Sequence, residues 1–214
     1  NWLNIFIMED SPEALMELKS NVSRETIKKL DAYRTLILAE KQNLISKKDK
    51  DLLWIRHFYD SLRISDLIRE NKQNIIDIGS GSGLPGIPLS LFYNGENSIF
   101  LCENRRKRAD FLEHCIDSLK LKNTYVIPHK VEKATNQKFD VVLARAVGRL
   151  NDLLSISYNI SKKSTTFLFH KGIHIDDEIA EATKYWKFDH KLHENSVEKG
   201  SYILELNNVI KSST

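Results

Sequence analysis

The sequence predicts an α/β protein: a mostly parallel sheet covered by helices on both faces, preceded by a helical extension. Three observations carry this. Residues 9 to 70 hold helix-capping residues and apolar residues at helical spacing. From residue 74, short apolar runs alternate with an amphipathic helical segment, the pattern of parallel strands joined by crossover helices. The first of those runs ends in a cluster of glycines, and open sheets of this kind bind ligands outside the carboxyl ends of their strands.

The elements follow in order. Ser11-Pro12-Glu13 supplies an N-cap oxygen, a proline at the first helical position and an acid in the first turn. Ser23 can cap a second helix with Ile27, Leu30, Arg34 and Ile37 on one stripe. A third helical stretch runs from Leu52 to Ile68, with Asp51 as its cap. Strands are expected at 74–78, 98–102, 124–127, 140–144 and 165–169. A late antiparallel strand at 201–206 pairs with residues near 188–192. Between 105 and 121, Ala109, Leu112, Cys115, Ile116 and Leu119 mark an amphipathic helix. The division is therefore a helical extension, 1–70, and a sheet domain, 71–214.

Composition narrows the class. With 214 residues, 41% of them hydrophobic, and a net charge of only +3, the chain can bury a sizeable core and is not disordered. Its long uncharged stretch, Ile78 to Gly95, is broken by Gly, Ser and Pro, which argues against a membrane span. The first ten residues lack the basic stretch and cleavage site of a secretory leader. Two cysteines, Cys102 and Cys115, make neither a disulfide framework nor a zinc set, so no metal is expected and a reduced, cytoplasmic protein is. The mildly basic balance permits a nucleic-acid partner without requiring one.

The glycine loop, Asp77-Ile78-Gly79-Ser80-Gly81-Ser82-Gly83-Leu84-Pro85-Gly86, admits two readings. Gly81, Gly83 and Gly86 satisfy the G-x-G-x-x-G fingerprint of dinucleotide-binding oxidoreductases, with Glu103 about where a ribose hydroxyl would need an acid. Asp77, Gly79, Gly81 and Gly83 satisfy the D-x-G-x-G-x-G pattern of S-adenosylmethionine methyltransferases. Three features favour the second. The glycine that directly follows the strand is Gly79; Pro85 removes an N–H that a pyrophosphate would need; and an acid at 77 suits a cationic amino-acid ligand. A carboxylate at 103 can accept from both ribose hydroxyls, and Val131-Glu132 falls where an adenine would lie.

Further segments carry a resemblance: Asn43-Leu44-Ile45-Ser46, Arg56-His57-Phe58-Tyr59-Asp60-Ser61-Leu62, the Leu84-Pro85-Gly86-Ile87-Pro88 tail, Phe139-Asp140, Arg145-Ala146-Val147 and His170-Lys171-Gly172. Over residues 40 to 206 the chain resembles the glucose-inhibited division protein B family, which methylates guanine N7 in 16S ribosomal RNA. The resemblance implies a doubly wound, Rossmann-like methyltransferase sheet, S-adenosyl-L-methionine as cofactor, the small ribosomal subunit or its 16S RNA as partner, no membrane, and a monomer. It places the cofactor against Gly79, Gly81, Gly83, Leu84, Glu103, Val131, Glu132 and Arg145, to which the loop reading adds Asp77. Glu103 stands where many members carry Asp.

Guanine N7 carries a lone pair and no proton, so its methylation needs orientation rather than a base. This agrees with the absence of an amine-methylating motif after the fourth strand, where Leu143-Ala144-Arg145-Ala146 stands. Arg145 is the candidate catalytic residue, holding target or cofactor, unless it pairs with an acid such as Asp140. Arg105, Arg106 and Arg108, whose charges oppose a helix dipole, and Lys171 are candidate RNA contacts. His57 and Asp60, three apart on one helix, read as a buried polar pair locking the extension to the core, with lining of the cleft as the alternative. Against enzymatic function stands a non-catalytic RNA-binding or ribosome-assembly role on the same fold.

Overall fold

A computed structural model describes residues 9–68, 70–134 and 136–212. Two helices open it. Helix α1, Pro12–Leu18, is capped by Ser11, whose hydroxyl accepts from the Ala14 N–H, and α2, Arg24–Ala39, by Ser23, which accepts from Thr26 N–H. On α2 the inward stripe is Thr26, Leu30, Tyr33 and Ile37. Tyr33, three residues after Leu30, takes the buried place expected of Arg34.

The third helical stretch is not one α-helix. It is a π-helical turn, Leu53–Tyr59, running into α3, Asp60–Leu62, and a 3-10 turn, Arg63–Asp66. Asp51 does not cap it. The carboxylate of Asp10, far back in the sequence, accepts from the N–H groups of Trp54 (3.1 Å) and Ile55 (2.8 Å). A distant residue therefore does the work assigned to the neighbouring one.

The rest alternates: β1 Asn74–Ile78, α4 Gly86–Tyr93, β2 Ser98–Cys102, α5 Arg106–Leu119, β3 Thr124–Ile127, α6 Val131–Ala134, β4 Phe139–Ala144, α7 Leu150–Ser157, β5 Ser161–Lys171, α8 Ile175–Ala182, β6 Trp186–Glu194 and β7 Tyr202–Lys211. The sheet order is β3-β2-β1-β4-β5-β7-β6. The first five strands run parallel, and β7 pairs antiparallel with both β5 and β6. This is the expected doubly wound sheet with a late antiparallel strand. Strand β5 is longer than read, as is β7.

Period-two alternation sorts each strand between two cores. Ile75, Ile99, Leu101, Leu143 and Leu168 pack under α1, α2, the π-helical turn, α4 and α5. Ile76, Ile78, Val142, Ala144, Phe167 and Phe169 pack under α7 and α8. The extension thus shares one core with a face of the sheet. Helix α4 shows no helical period in the sequence because nearly all of it is buried, so it has no polar face to reveal one. Trp54 lies in the first core and Trp186 in the second.

Candidate active site

Strand register decides where chemistry can occur. Ile78 ends β1 level with Cys102 of β2 and Ala144 of β4, so the three following loops open side by side. The loop after β1 is pinned at both ends. The N–H groups of Gly79 and Ser80 donate to the Cys102 carbonyl (2.8 and 3.1 Å), and the Tyr33 hydroxyl of α2 donates to the Ser82 carbonyl at 2.6 Å. Gly79, Gly81 and Gly83 all adopt left-handed φ angles. At Gly83 (φ +97°) a Cβ would lie 2.4 Å from Ile87 Cδ1 and 2.9 Å from the Tyr33 hydroxyl, so the turn closes only without a side chain.

Asp77 sits beneath this loop, 0% exposed. Its Oδ2 accepts from the Gly86 N–H at 3.1 Å, and its carbonyl accepts from the Ser80 hydroxyl at 2.8 Å. Oδ1 has no hydrogen-bond partner among the described residues. Burial pushes the carboxyl up to about 7, against the Gly86 N–H and Ser80 hydroxyl, which favour the charged form. Expected to face a ligand, Asp77 instead fastens the start of α4 to β1. The same bond weighs against the dinucleotide reading, because the first N–H of α4 is already taken up inside the protein.

Glu103, just beyond β2, is buried too. It accepts from Gly81 N–H through Oε2 (3.0 Å) and from Arg105 N–H through Oε1 (2.8 Å). A carboxylate has lone pairs for about four donors, so it can organise the loop and still receive two hydroxyls. Val131 is buried in the second core and Glu132 is exposed beside it. Neither lines the cleft over the glycine loop.

That cleft has a volume of about 310 Å³. Gly79, Ser80, Gly81, Ser82 and Leu84 form one wall. Leu44, Ile45 and Asp49, from the segment between α2 and the π-helical turn, form the other, and His57, Arg108, Arg145 and Ala146 complete the lining. Gly79, Gly81, Leu84 and Arg145, drawn from separate places in the sequence, therefore meet at one cavity. These walls suit S-adenosylmethionine. The bare backbone of the glycine loop admits close approach, and Glu103 stands behind it with acceptor capacity left.

Arg145 follows β4 directly. It does not pair with Asp140, whose carboxylate is held by Lys162. Its Nη2 donates to His57 Nδ1 at 2.7 Å, and its Nη1 lies 3.8 Å from Asp60 Oδ2. It also borders a second, shallower cleft with Asp60, His170, Lys199 and Gly200. The side chains of His57 and Asp60 are both buried, as the sequence suggested, but they converge on Arg145 rather than on each other. Asp60 is further held by Arg63 (3.0 Å), Asn195 (2.9 Å) and His170 (3.1 Å).

The basic residues divide. Arg105 caps α5 from an exposed position, and Arg106 is exposed, paired with Asp110 at 2.9 Å. Arg108 turns inward to the cleft wall. Lys171, expected to meet phosphate, is only 8% exposed. Its ammonium donates to Glu178 (2.6 Å) and to the Gly148 carbonyl (3.0 Å), because β5 carries it under the start of α8. No metal-binding cluster of His, Cys, Asp or Glu occurs among the described residues. Tyr33, Arg63 and Asn195 escaped the sequence reading. Only Tyr33 had a signal, its place between Leu30 and Ile37 on the α2 stripe.

Comparison with known proteins agrees with this geometry. Among solved structures, a ribosomal protein L11 methylase from Lactobacillus delbrueckii subsp. bulgaricus superposes with a TM-score of 0.56 at 14% identity, covering 77% of this chain and 90% of that one. P. horikoshii TYW2 in complex with MeSAdo gives 0.57 at 14% identity, over 73% of this chain and 63% of that one. Both share the fold. In sequence, the Ribosomal RNA small subunit methyltransferase G of Zymomonas mobilis is 33% identical over 90% of this chain and 91% of its own length. That of Bartonella henselae is 34% identical over 95% and 97%. A family model described as rRNA small subunit methyltransferase G matches residues 26–206. With the glycine loop, Glu103 and Arg145 arranged about one cleft, the chain belongs to the rRNA small subunit methyltransferase G family.

Proposed function

We propose that the protein transfers a methyl group from S-adenosylmethionine to N7 of a guanine in 16S ribosomal RNA of the small subunit. One observation supports this above the others: the glycine loop and Arg145 share a cleft at the carboxyl ends of β1 and β4. In this reading Gly79, Gly81, Gly83 and Leu84 shape the cofactor's bed. Asp77 holds that bed from below and Glu103 takes the ribose hydroxyls; Val131 and Glu132, which lie outside the cleft lining, border the adenine only where the cofactor extends past the cleft toward α6. When bound, S-adenosylmethionine supplies a methyl group activated by a sulfonium. The Arg145 guanidinium offers donors and no acceptor, so it does not serve as a base. It is a donor that orients its neighbours, and orientation is what N7 attack requires. Arg105 and Arg106 reach RNA phosphate from the mouth of the cleft, and Arg108 does so from its wall. Lys171 steadies the turn after β4 instead.

The same proposal takes 1–70 as a helical extension and 71–214 as the methyltransferase domain, acting as a cytoplasmic monomer. No helix among the described residues is long and apolar enough to cross a membrane.

The experiment is methyl transfer from labelled S-adenosylmethionine to unmethylated small subunits, with N7-methylguanine identified by reductive cleavage of the RNA. Gly81→Val puts a branched side chain at φ +58° and should abolish cofactor binding. Arg145→Ala should slow turnover by at least about tenfold, or about 1.4 kcal/mol. Unchanged binding in the first variant, or wild-type rate in the second, would remove that residue from the assignment.

A further inference from the structure

We propose that His57 is a positioning residue of the methyl-transfer site, fixing the Arg145 guanidinium through its Nδ1; this rests on the role given to Arg145 above. The Arg145 side chain is long, is 18% exposed and stands between two clefts. An arginine so placed samples many rotamers unless it is held. The turn that launches it is itself unusual, since Ala146 adopts φ +55°, a left-handed conformation uncommon in a residue with a Cβ.

The hydrogen bond between Arg145 Nη2 and His57 Nδ1, at 2.7 Å, has only one direction. A guanidinium has no acceptor, so Nδ1 must offer its lone pair and the ring proton must sit on Nε2. The surroundings favour that state. Burial first, then the Arg145 charge, lower the imidazole to about 4, with Arg56 adding to them and Asp49 and Asp60 opposing. At neutral pH the ring is uncharged and Nδ1 is free to accept. The second guanidinium nitrogen faces Asp60, which Arg63, Asn195 and His170 hold in place. Both restraints come from four residues of chain, His57 to Asp60, where a π-helical turn passes into α3. Such turns recur at functional sites because they re-aim side chains.

A purely structural role does not account for the ring. His57 Nε2 is buried without a hydrogen-bond partner among the described residues, and Asp49 Oδ2 lies 3.8 Å away. A buried unpaired donor destabilises, and an apolar ring would avoid that loss. What a phenyl ring cannot supply is the acceptor at Nδ1.

The test compares His57→Asn with His57→Gln. The Asn amide branches at Cγ and can set an oxygen where Nδ1 was, whereas the Gln amide lies one bond further out, where Nε2 was. Single-turnover methyl transfer to unmethylated small subunits is measured at saturating S-adenosylmethionine, with thermal melting alongside. His57→Gln should slow the reaction by at least about tenfold, and His57→Asn should recover most of that loss, to within about threefold of wild type. The double variant His57→Gln/Arg145→Ala should be no slower than Arg145→Ala alone, because His57 acts through that arginine. Equal rates for Asn and Gln, or losses that multiply in the double variant, overturn the proposal while leaving Arg145 in place. A wild-type rate in Arg145→Ala overturns the underlying reading and the proposal with it. Should the Gln variant fail to fold, a folded His57→Asn as slow as Arg145→Ala overturns the proposal, and one near wild type supports it.

Discussion

Asp77 and Asp60 are almost equally hidden, at 0% and 3% exposure, yet their carboxyls are driven in opposite directions. Burial raises both. At Asp77 an N–H, a hydroxyl and the Arg145 charge oppose it without overcoming it, Glu103 adds to it, one oxygen has no hydrogen-bond partner among the described residues, and the group rises to about 7. At Asp60 the opposition is His170, Arg145 and Arg63, and the group is held well below the usual carboxylate range. The contrast teaches that depth does not decide ionisation; the charge of the partners does. It also separates two ways of building a site. Around Asp77 the hydrogen bonds come from the Gly86 N–H and the Ser80 hydroxyl, within ten consecutive residues. Around Asp60 they come from side chains brought together from across the chain.

The largest expected effect breaks the second region. Asp60→Ala would leave Arg63, Arg145 and His170 facing one another without their shared acceptor. Stability should fall by about 3–5 kcal/mol, read by urea denaturation, as for other buried pairs that lose one partner. A loss below about 1 kcal/mol would mean that water satisfies these groups and that the region is no electrostatic knot.

A smaller effect concerns the first region, and its sign follows from the direction of the shift. The folded pKa of Asp77 lies above its ordinary value of 3.8, so its contribution to stability is fully present below 3.8 and is lost as pH rises through about 7. The slope between those limits is about 1.4 kcal/mol per pH unit. Asp77→Asn removes it while keeping an acceptor for Gly86. The variant should therefore gain on wild type from pH 5 to 7 and gain no more above, in denaturation curves taken at successive pH values. A constant difference would show that Asp77 stays ionised throughout.

The smallest effect sharpens the comparison by testing how the glycine loop depends on the extension. Tyr33→Phe deletes the donor to the Ser82 carbonyl. Stability should drop by about 1–2 kcal/mol. Calorimetry should show S-adenosylmethionine affinity weakened severalfold, whereas unchanged affinity would make the loop self-supporting.

The two regions also differ in how they could be read. The Asp77 loop is contiguous, so its glycine spacing alone announced the turn and its place after β1. Even there the role of Asp77 was inverted, because spacing reports which residues are near and not which way a carboxylate faces. The Asp60 knot joins residues 60, 63, 145, 170 and 195, and no local pattern announces such a gathering. Lys171 shows the same limit: its position at the end of β5 was legible, but Glu178, which takes its charge, was not. The strands were legible because parallel strands are apolar on both faces. The π-helical turn was not, since its start is set by Asp10, some forty residues earlier.

The order of strands across the sheet has a consequence for how the molecule comes into being. Strand β6 precedes β7 in the chain but lies outside it, with β7 between it and β5. A polypeptide made from its amino end has β6 complete while the strand it must pair with does not yet exist. During that interval β5 presents an unpaired border, of the kind that invites association between nascent chains. The last two strands close that border together, arriving as a hairpin. The sheet thus stays open on one side until β7 emerges, and the β6–β7 hairpin serves as the latch.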